Sequence, residues 1–243
     1  MTIPRFYHPA LPPHARHVAL PPEAAHHAAK VLRLQAGAAI VLFDGTGGEY
    51  PAIIEQIGKQ HVTVENGPWR ERECESPLDI TLVQAMSSGD KMDFTLQKAV
   101  ELGITAIQPI ASERSVVRLS GERAEKRVRH WQQVVVSACE QCGRNRVPEV
   151  APILSLSDWL GQPATPGVRL TLAPDAPASL RELPRPSAPV TLLIGPEGGL
   201  APGEIKAAAS CGFAPVRLGP RILRTETAAL AALAAMQAVW GDF

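Results

Sequence analysis

No apolar run in this chain approaches the roughly 18 residues that a helix needs to cross a bilayer, and the opening residues MTIPRFYHP hold no apolar signal core. A cytoplasmic protein with no membrane partner is expected. Cysteine is scarce: Cys74, Cys139, Cys142 and Cys211 are too few to frame a chain of 243 residues with disulfides. Cys139 and Cys142 form a C-x-x-C, but no second C-x-x-C and no H-x-x-x-H stands ready to complete a zinc site. A redox pair belongs near a helix start, and this one closes a long helical stretch. No metal is expected. Net charge is lacking too, since 24 basic residues balance 24 acidic ones, so the whole-chain charge carries no sign of nucleic acid. Neither G-x-G-x-x-G nor G-x-x-x-x-G-K-[ST] occurs beside the strands, which disfavours a Rossmann dinucleotide site and a P-loop.

What is present is an ordinary globular composition, 45% hydrophobic and 20% charged, long enough for one large or two modest domains. From Pro4 to about Gly67 the pattern is β-rich: AAIVLFD, EYPAIIEQI and KQHVTVE are short apolar or alternating runs separated by GTGG and GK. They predict a small barrel or curled sheet. Ahead of them EAAHHAAKVLRLQAG reads as one helix ending at Ala36–Gly37. His8, His14, His17, His26 and His27 join Arg5, Arg16, Lys30 and Arg33 there; the spacings give no zinc signature, leaving an RNA-facing basic surface or plain exposed polar residues. The polar, proline-bounded GPWRERECESP reads as a linker, with Trp69 anchoring it. The division is drawn at 1–70, linker 71–77, and 78–243.

From Leu78 strands alternate with helices, the mark of a largely parallel sheet whose binding sites lie beyond the strand carboxyl ends. LDITLVQAM, ITAIQPI, VRLTLAP, VTLLIGP and APVRLGP read as strands; KMDFTLQKAVEL, Gly121–Cys142, SLSDWL, APGEIKAAASCG and TETAALAALAAMQAVW read as helices. The final helix is nearly apolar on every face and must be buried, which points to a second copy of the chain as partner. From Glu113 to Arg146 eight basic residues face four acidic ones. Such an excess suits phosphate, or a solvated helix face. Arg144-Asn145-Arg146 follows the long helix, where guanidiniums can hold phosphate and an amide can read a base edge, or where charges simply surround a helix end.

The chain is organised around two glycine-broken corners, VTLLIGPEGGLAPGEI and VRLGPRILRTETAA. Gly195, Gly198 and Gly199 permit positive φ or a close ligand approach, and Pro196 stiffens the turn around Glu197. In the second corner Gly219 and Pro220 break the strand, and Thr225 with Glu226 opens a helix whose first N–H groups need acceptors. Each alone reads equally as an ordinary strand-to-helix turn; together they read as a binding rim.

LLIGPEGGL, LGPRILRTETAA and EQCGRNRVPE resemble the bacterial RsmE family, 16S ribosomal RNA uracil-N3 methyltransferases of the SPOUT superfamily, and the likeness runs from Pro4 to the C-terminus. The resemblance implies a SPOUT α/β trefoil-knot methyltransferase domain preceded by a small PUA-like β-barrel that binds RNA. It also implies a homodimer through the C-terminal domain and 16S rRNA within the 30S subunit as substrate. S-adenosylmethionine is the implied cofactor, bent within the knot loops against Leu172, Ile194, Gly195, Pro196, Glu197, Gly198, Leu218, Gly219, Ile222, Leu223, Thr225, Thr227 and Ala228. RNA contacts are expected from Arg5, Lys30, Arg33, Arg144, Asn145 and Arg146, with Asn145 also contributing to catalysis.

Methyl transfer from a sulfonium is an in-line displacement, so the protein aligns donor and nucleophile and manages the proton on uracil N3. Arg224 is expected to stabilise charge developing on the uracil oxygens, and Glu226 either takes the proton or caps the helix. Two other readings are a related enzyme that methylates a ribose 2′-hydroxyl or another base, separable by product analysis, and a non-catalytic RNA-binding module of the same fold, separable by cofactor binding.

Overall fold

A computed structural model describes residues 3–12, 15–58 and 61–243. His14 of the expected basic surface, and Lys59 and Gln60 at the start of the expected third strand, lie outside the described residues. The chain divides into two compact units, Met1–Glu75 with Cys139–Val147, and Ser76–Ala138 with Pro148–Phe243.

In the first unit the strands β1 (Arg5–Tyr7), β2 (His17–Ala19), β3 (Ala39–Phe43), β4 (Tyr50–Ile57) and β5 (Val62–Asn66) form one sheet in the order β1-β3-β4-β5-β2. Their period-two alternation sends Ile40, Leu42, Ala52, Ile54, Val62 and Val64 to the interior, against Phe6, Val18 and the alanines of the helical segment. That segment is shorter than expected. It begins as α1 (Pro22–His26) and widens into a π-turn over His27–Val31. The Leu32 N–H donates to His27 O and the Leu34 N–H to Ala28 O, five and six residues back, and Arg33 stands at φ 53°. Fully buried Ala28 explains the economy: a small side chain lets the chain leave the helix without opening the core.

The expected linker belongs to this unit as far as Glu75. Glu49 and Arg70 exchange backbone hydrogen bonds of 3.0 and 2.8 Å, and the Gly48 N–H donates to Glu73 at 2.8 Å. Trp69 does anchor the segment, lying against Gly48, where a Cβ would fall 2.3 Å from the indole nitrogen and φ is +69°. Composition reads this stretch as linker because it is polar, yet several of its charges find partners.

In the second unit β6 (Ile80–Ala85), β7 (Ala106–Ala111), β8 (Glu149–Val150), β10 (Val168–Leu172), β11 (Val190–Ile194) and β12 (Ala214–Val216) run in the order β12-β10-β11-β6-β7-β8, with β9 (Leu154–Ser155) also on β7. Their pairings are all parallel. The helices are α2 (Asp90–Glu101), α3 (Gly121–Cys142, counted here as far as Ala138), α4 (Leu156–Leu160), α5 (Pro202–Ser210) and α6 (Thr225–Trp240). After the edge strand β12 the chain is clamped to the loop that follows β10: the Arg217 N–H donates to Ala178 O at 3.0 Å and the Leu180 N–H to Arg217 O at 3.2 Å. It then returns to α6, which buries Ala229, Ala232, Leu233, Met236 and Trp240. Gln237 is buried with them, donating to Leu102 O and accepting from Ser76.

Candidate functional site

The sheet order makes neighbours of three strand ends. Thr171 lies opposite Leu193 and Leu172 opposite Val216, so the loops leaving β10, β11 and β12 emerge side by side at the carboxyl edge, where open parallel sheets bind ligands. The first corner folds tightly: a Cβ on Gly195 would meet the Leu200 backbone nitrogen at 3.1 Å, and the Gly199 N–H donates to Pro196 O at 2.8 Å with φ +68°. The second corner is joined to it by Thr225, whose hydroxyl donates to Gly195 O at 2.6 Å.

Around these corners Ile194 and Pro196 are buried, and Leu172, Gly195, Leu218, Gly219, Leu223 and Ala228 are half-buried. Glu197, Gly198 and Thr227 are exposed, and Ile222 is 85% exposed. Arg224 is exposed at the N-cap of α6, while Glu226 in the first turn is half-buried, with Oε2 enclosed and without a hydrogen-bond partner among the described residues. The site therefore offers glycines, main-chain polar groups, aliphatic walls and one unspent carboxylate oxygen.

Two features here were not expected. Lys91 lies 3.4 Å from Glu197, and the Arg114 guanidinium donates to Gly198 O at 3.0 Å, bracing the first corner from the first turn of α2 and from the loop after β7. Gln84 is fully buried beside Ile194 and donates to Thr225 Oγ1 at 3.1 Å. A polar residue inside the apolar run LDITLVQAM was the signal for it.

The structure places three of the six expected RNA contacts in the interior. Arg5, Arg144 and Asn145 are 9%, 3% and 0% exposed, within the first unit. Arg5 pairs with Glu49 at 2.6 Å and donates to Asn145 Oδ1, and Asn145 in turn donates to Arg72 O at 2.5 Å. Arg144 donates twice to Glu75, at 2.8 and 2.5 Å. Arg5 and Asn145 bond each other and partners in the same unit, and Arg144 bonds Glu75, so all three are held inside that unit. Their partners Glu49 and Glu75 stand too far along the chain for any local pattern to pair them. Lys30, Arg33 and Arg146 are exposed.

Titration follows the same geometry. Burial pushes the Cys139 thiol up to about 12, so it is a protonated core group at neutral pH. Burial also raises the Glu140 carboxyl, against the Tyr7 N–H that it accepts at 2.9 Å. For Glu49 burial acts upward as well, but the hydrogen bonds and charges of Arg5 and Arg72 outweigh it and hold the carboxyl below its ordinary value.

A cavity of 690 Å³ lies in the first unit along the outer side of β3 and β4, and one of 310 Å³ at the amino edge of the second sheet. Neither is lined by the loop residues from Gly195 to Leu200 or from Leu218 to Thr225. Among the described residues no cluster of three or more metal-binding side chains occurs, and no helix is long and apolar enough to cross a membrane.

Comparison with known proteins places this geometry. Residues 74–237 match the RNA methyltransferase domain family, and residues 20–65 the RNA methyltransferase PUA domain. The crystal structure of a ribosomal RNA small subunit methyltransferase E from Neisseria gonorrhoeae, bound to S-adenosylmethionine, is similar at TM-score 0.93 and 45% identity over 100% of both chains. A protein from Legionella pneumophila, solved with the cofactor SAM bound, is similar at TM-score 0.96 and 39% identity over 100% of both chains. Ribosomal RNA small subunit methyltransferase E of Buchnera aphidicola is 37% identical over 88% of this chain and 87% of its own. The fold is thus the SPOUT-type α/β methyltransferase domain preceded by a PUA-like domain.

Proposed function

The chain belongs to the ribosomal RNA small subunit methyltransferase E family of RNA methyltransferases, and from that premise we propose that it transfers the methyl group of S-adenosylmethionine to N3 of one uridine in 16S rRNA of the 30S subunit. The observation that carries this reading is the pair of glycine corners tied at the carboxyl edge of the sheet by Thr225 and Gly195, 2.6 Å apart.

The residues fit the cofactor on their own chemistry. A donor held mainly by main-chain groups needs backbone at close range, and the tight Gly195–Leu200 fold supplies it without side chains in the way. Leu172 at the end of β10, with Leu218 and Leu223 in the loop between β12 and α6, all half-buried, provides the apolar wall. When bound, S-adenosylmethionine supplies a methyl group on a sulfonium. Arg224, exposed at the mouth, stabilises negative charge on the uracil oxygens as the N3 proton leaves, and the enclosed oxygen of Glu226 is the acceptor for that proton. Thr225, expected as a cofactor contact, instead spends its hydroxyl proton on Gly195. Lys30, Arg33 and Arg146 are the cations left to meet rRNA phosphates. Calorimetric titration with S-adenosylmethionine tests the site: one molecule bound per chain is expected, and absence of binding would leave only an RNA-binding module.

The same reading includes a homodimer through the second unit in the cytoplasm. From Thr227 to Gly241 the chain carries no charge, and Ala238 and Val239 remain exposed on α6. A second copy is the partner whose matching face needs no charge. Ala238→Lys is expected to turn a dimer into a monomer in sedimentation equilibrium at micromolar concentration; a wild-type monomer, or an unchanged variant, contradicts it.

A further inference from the structure

We propose that Gln84 is a positioning residue of the donor site: its buried amide, acting through the Thr225 hydroxyl, sets the position of the first glycine corner against the second. The inference rests on the reading of the two corners as the donor site.

Gln84 is the last residue but one of β6 and sits in register with Ile194, the end of β11. Its Nε2 carries two hydrogens, donated to Ala85 O at 3.0 Å and to Thr225 Oγ1 at 3.1 Å. An inverted amide would set its oxygen against the Ala85 carbonyl, so the direction of the amide is fixed. A hydroxyl has one proton. Having accepted from Gln84, Thr225 donates that proton to Gly195 O, at 2.6 Å. The result is a one-way relay from a fully buried strand, through the first residue of α6, to the carbonyl that opens the first corner. Among the described residues no other side-chain hydrogen bond joins the two corners.

The relay matters because a site built from main-chain groups cannot be tuned by its own side chains. Its precision is inherited from whatever fixes the main chain, and displacement by about an ångström is enough to spoil alignment for transfer. Gln84 fixes it from beneath, out of reach of the ligand.

The test is steady-state methyl transfer to small subunits with Gln84→Leu, Thr225→Val, the double variant and Thr225→Ser, together with calorimetric unfolding of each without ligand. Gln84→Leu is expected to raise the KM for S-adenosylmethionine about tenfold, with kcat at saturation lowered less than about threefold. Thr225→Ser, which keeps the hydroxyl, should recover most of the affinity lost in Thr225→Val. Because either change cuts the same relay, the double variant should be no worse than Thr225→Val alone. A KM for Gln84→Leu within about twofold of wild type, or losses that multiply in the double variant, overturns the proposal. Should Gln84→Leu not fold, the isosteric Gln84→Glu decides: a carboxylate draws the Thr225 proton away from Gly195, and an unchanged KM contradicts the relay. Wild type that fails to bind S-adenosylmethionine sinks the donor-site reading itself; wild type that binds, with Gln84→Leu unaffected, sinks only this proposal.

Discussion

Arg224→Ala is expected to bind S-adenosylmethionine as the wild type does and to lose methyl transfer by about 10²–10³-fold, the usual cost of removing one preorganised donor from a developing anion. The expectation comes from placement. Arg224 is exposed at the N-cap of α6, its backbone φ and ψ are −65° and 155°, and its carbonyl accepts the Ala228 N–H at 2.7 Å. Those roles belong to the main chain and survive truncation. The guanidinium has no structural bond to lose among the described residues, so folding should be indifferent to it. What it has is reach over the corner where uracil must present N3. A uracil losing its N3 proton spreads charge onto two carbonyl oxygens, which a planar guanidinium can meet with two parallel hydrogen bonds. Arg224→Lys, a single compact charge, should recover only part of the rate. The measurements are calorimetric affinity for the donor and single-turnover transfer to undermethylated small subunits. Undiminished turnover in Arg224→Ala would remove the residue from the mechanism.

The second large effect is on stability. Glu49→Ala is expected to cost about 3–5 kcal/mol, because it strips a buried guanidinium of its counter-ion. Glu49 and Arg5 are each 7% exposed at the side chain and lie 2.6 Å apart, with Arg72 donating to the same carboxylate at 3.0 Å. After truncation Arg5 keeps a hydrogen bond to Asn145 and the face of the Phe43 ring, 5.1 Å away, but no carboxylate. The sign with pH follows from the lowered Glu49 carboxyl. Its stabilisation is present above the ordinary carboxylate value of 4.5 and is lost as pH falls through the lower folded value. The gap in thermal midpoint between wild type and Glu49→Ala should therefore be widest at neutral pH and close in acid. Glu65→Ala is the control, since the Arg16–Glu65 pair is 75% and 39% exposed and such pairs contribute about 0–1 kcal/mol. Equal losses in the two variants would contradict the buried network.

Local pattern was enough wherever local physics decides. The helices over Gly121–Cys142 and Thr225–Trp240 begin and end where glycine breaks and apolar periodicity put them, and the apolar runs of the second unit became parallel strands. Pattern failed where partners are remote. Arg5 and Asn145 meet across 140 positions and Arg5 and Glu49 across 44, so the burial of Arg5, Arg144 and Asn145 was not legible in the sequence, while Arg146 of the same loop stays exposed. In the segment after Gly67 the partners are remote too: Arg72 reaches Glu49, and Glu75 reaches Arg144. Resemblance, not periodicity, supplied the knot and the methyl donor, and the comparisons bear that reading out at the level of family and fold. The corners themselves were legible as glycine-broken strand ends; the Gln84 relay that joins them was visible only as one polar letter in an apolar run.

The most direct test of the account is to incubate the wild-type chain with S-adenosylmethionine carrying a labelled methyl group and small ribosomal subunits that lack the modification, then to map the labelled nucleotide. The account predicts a single labelled uridine in 16S rRNA with the methyl on N3. Label on a ribose 2′-oxygen, on another base, or nowhere in the subunit would contradict it.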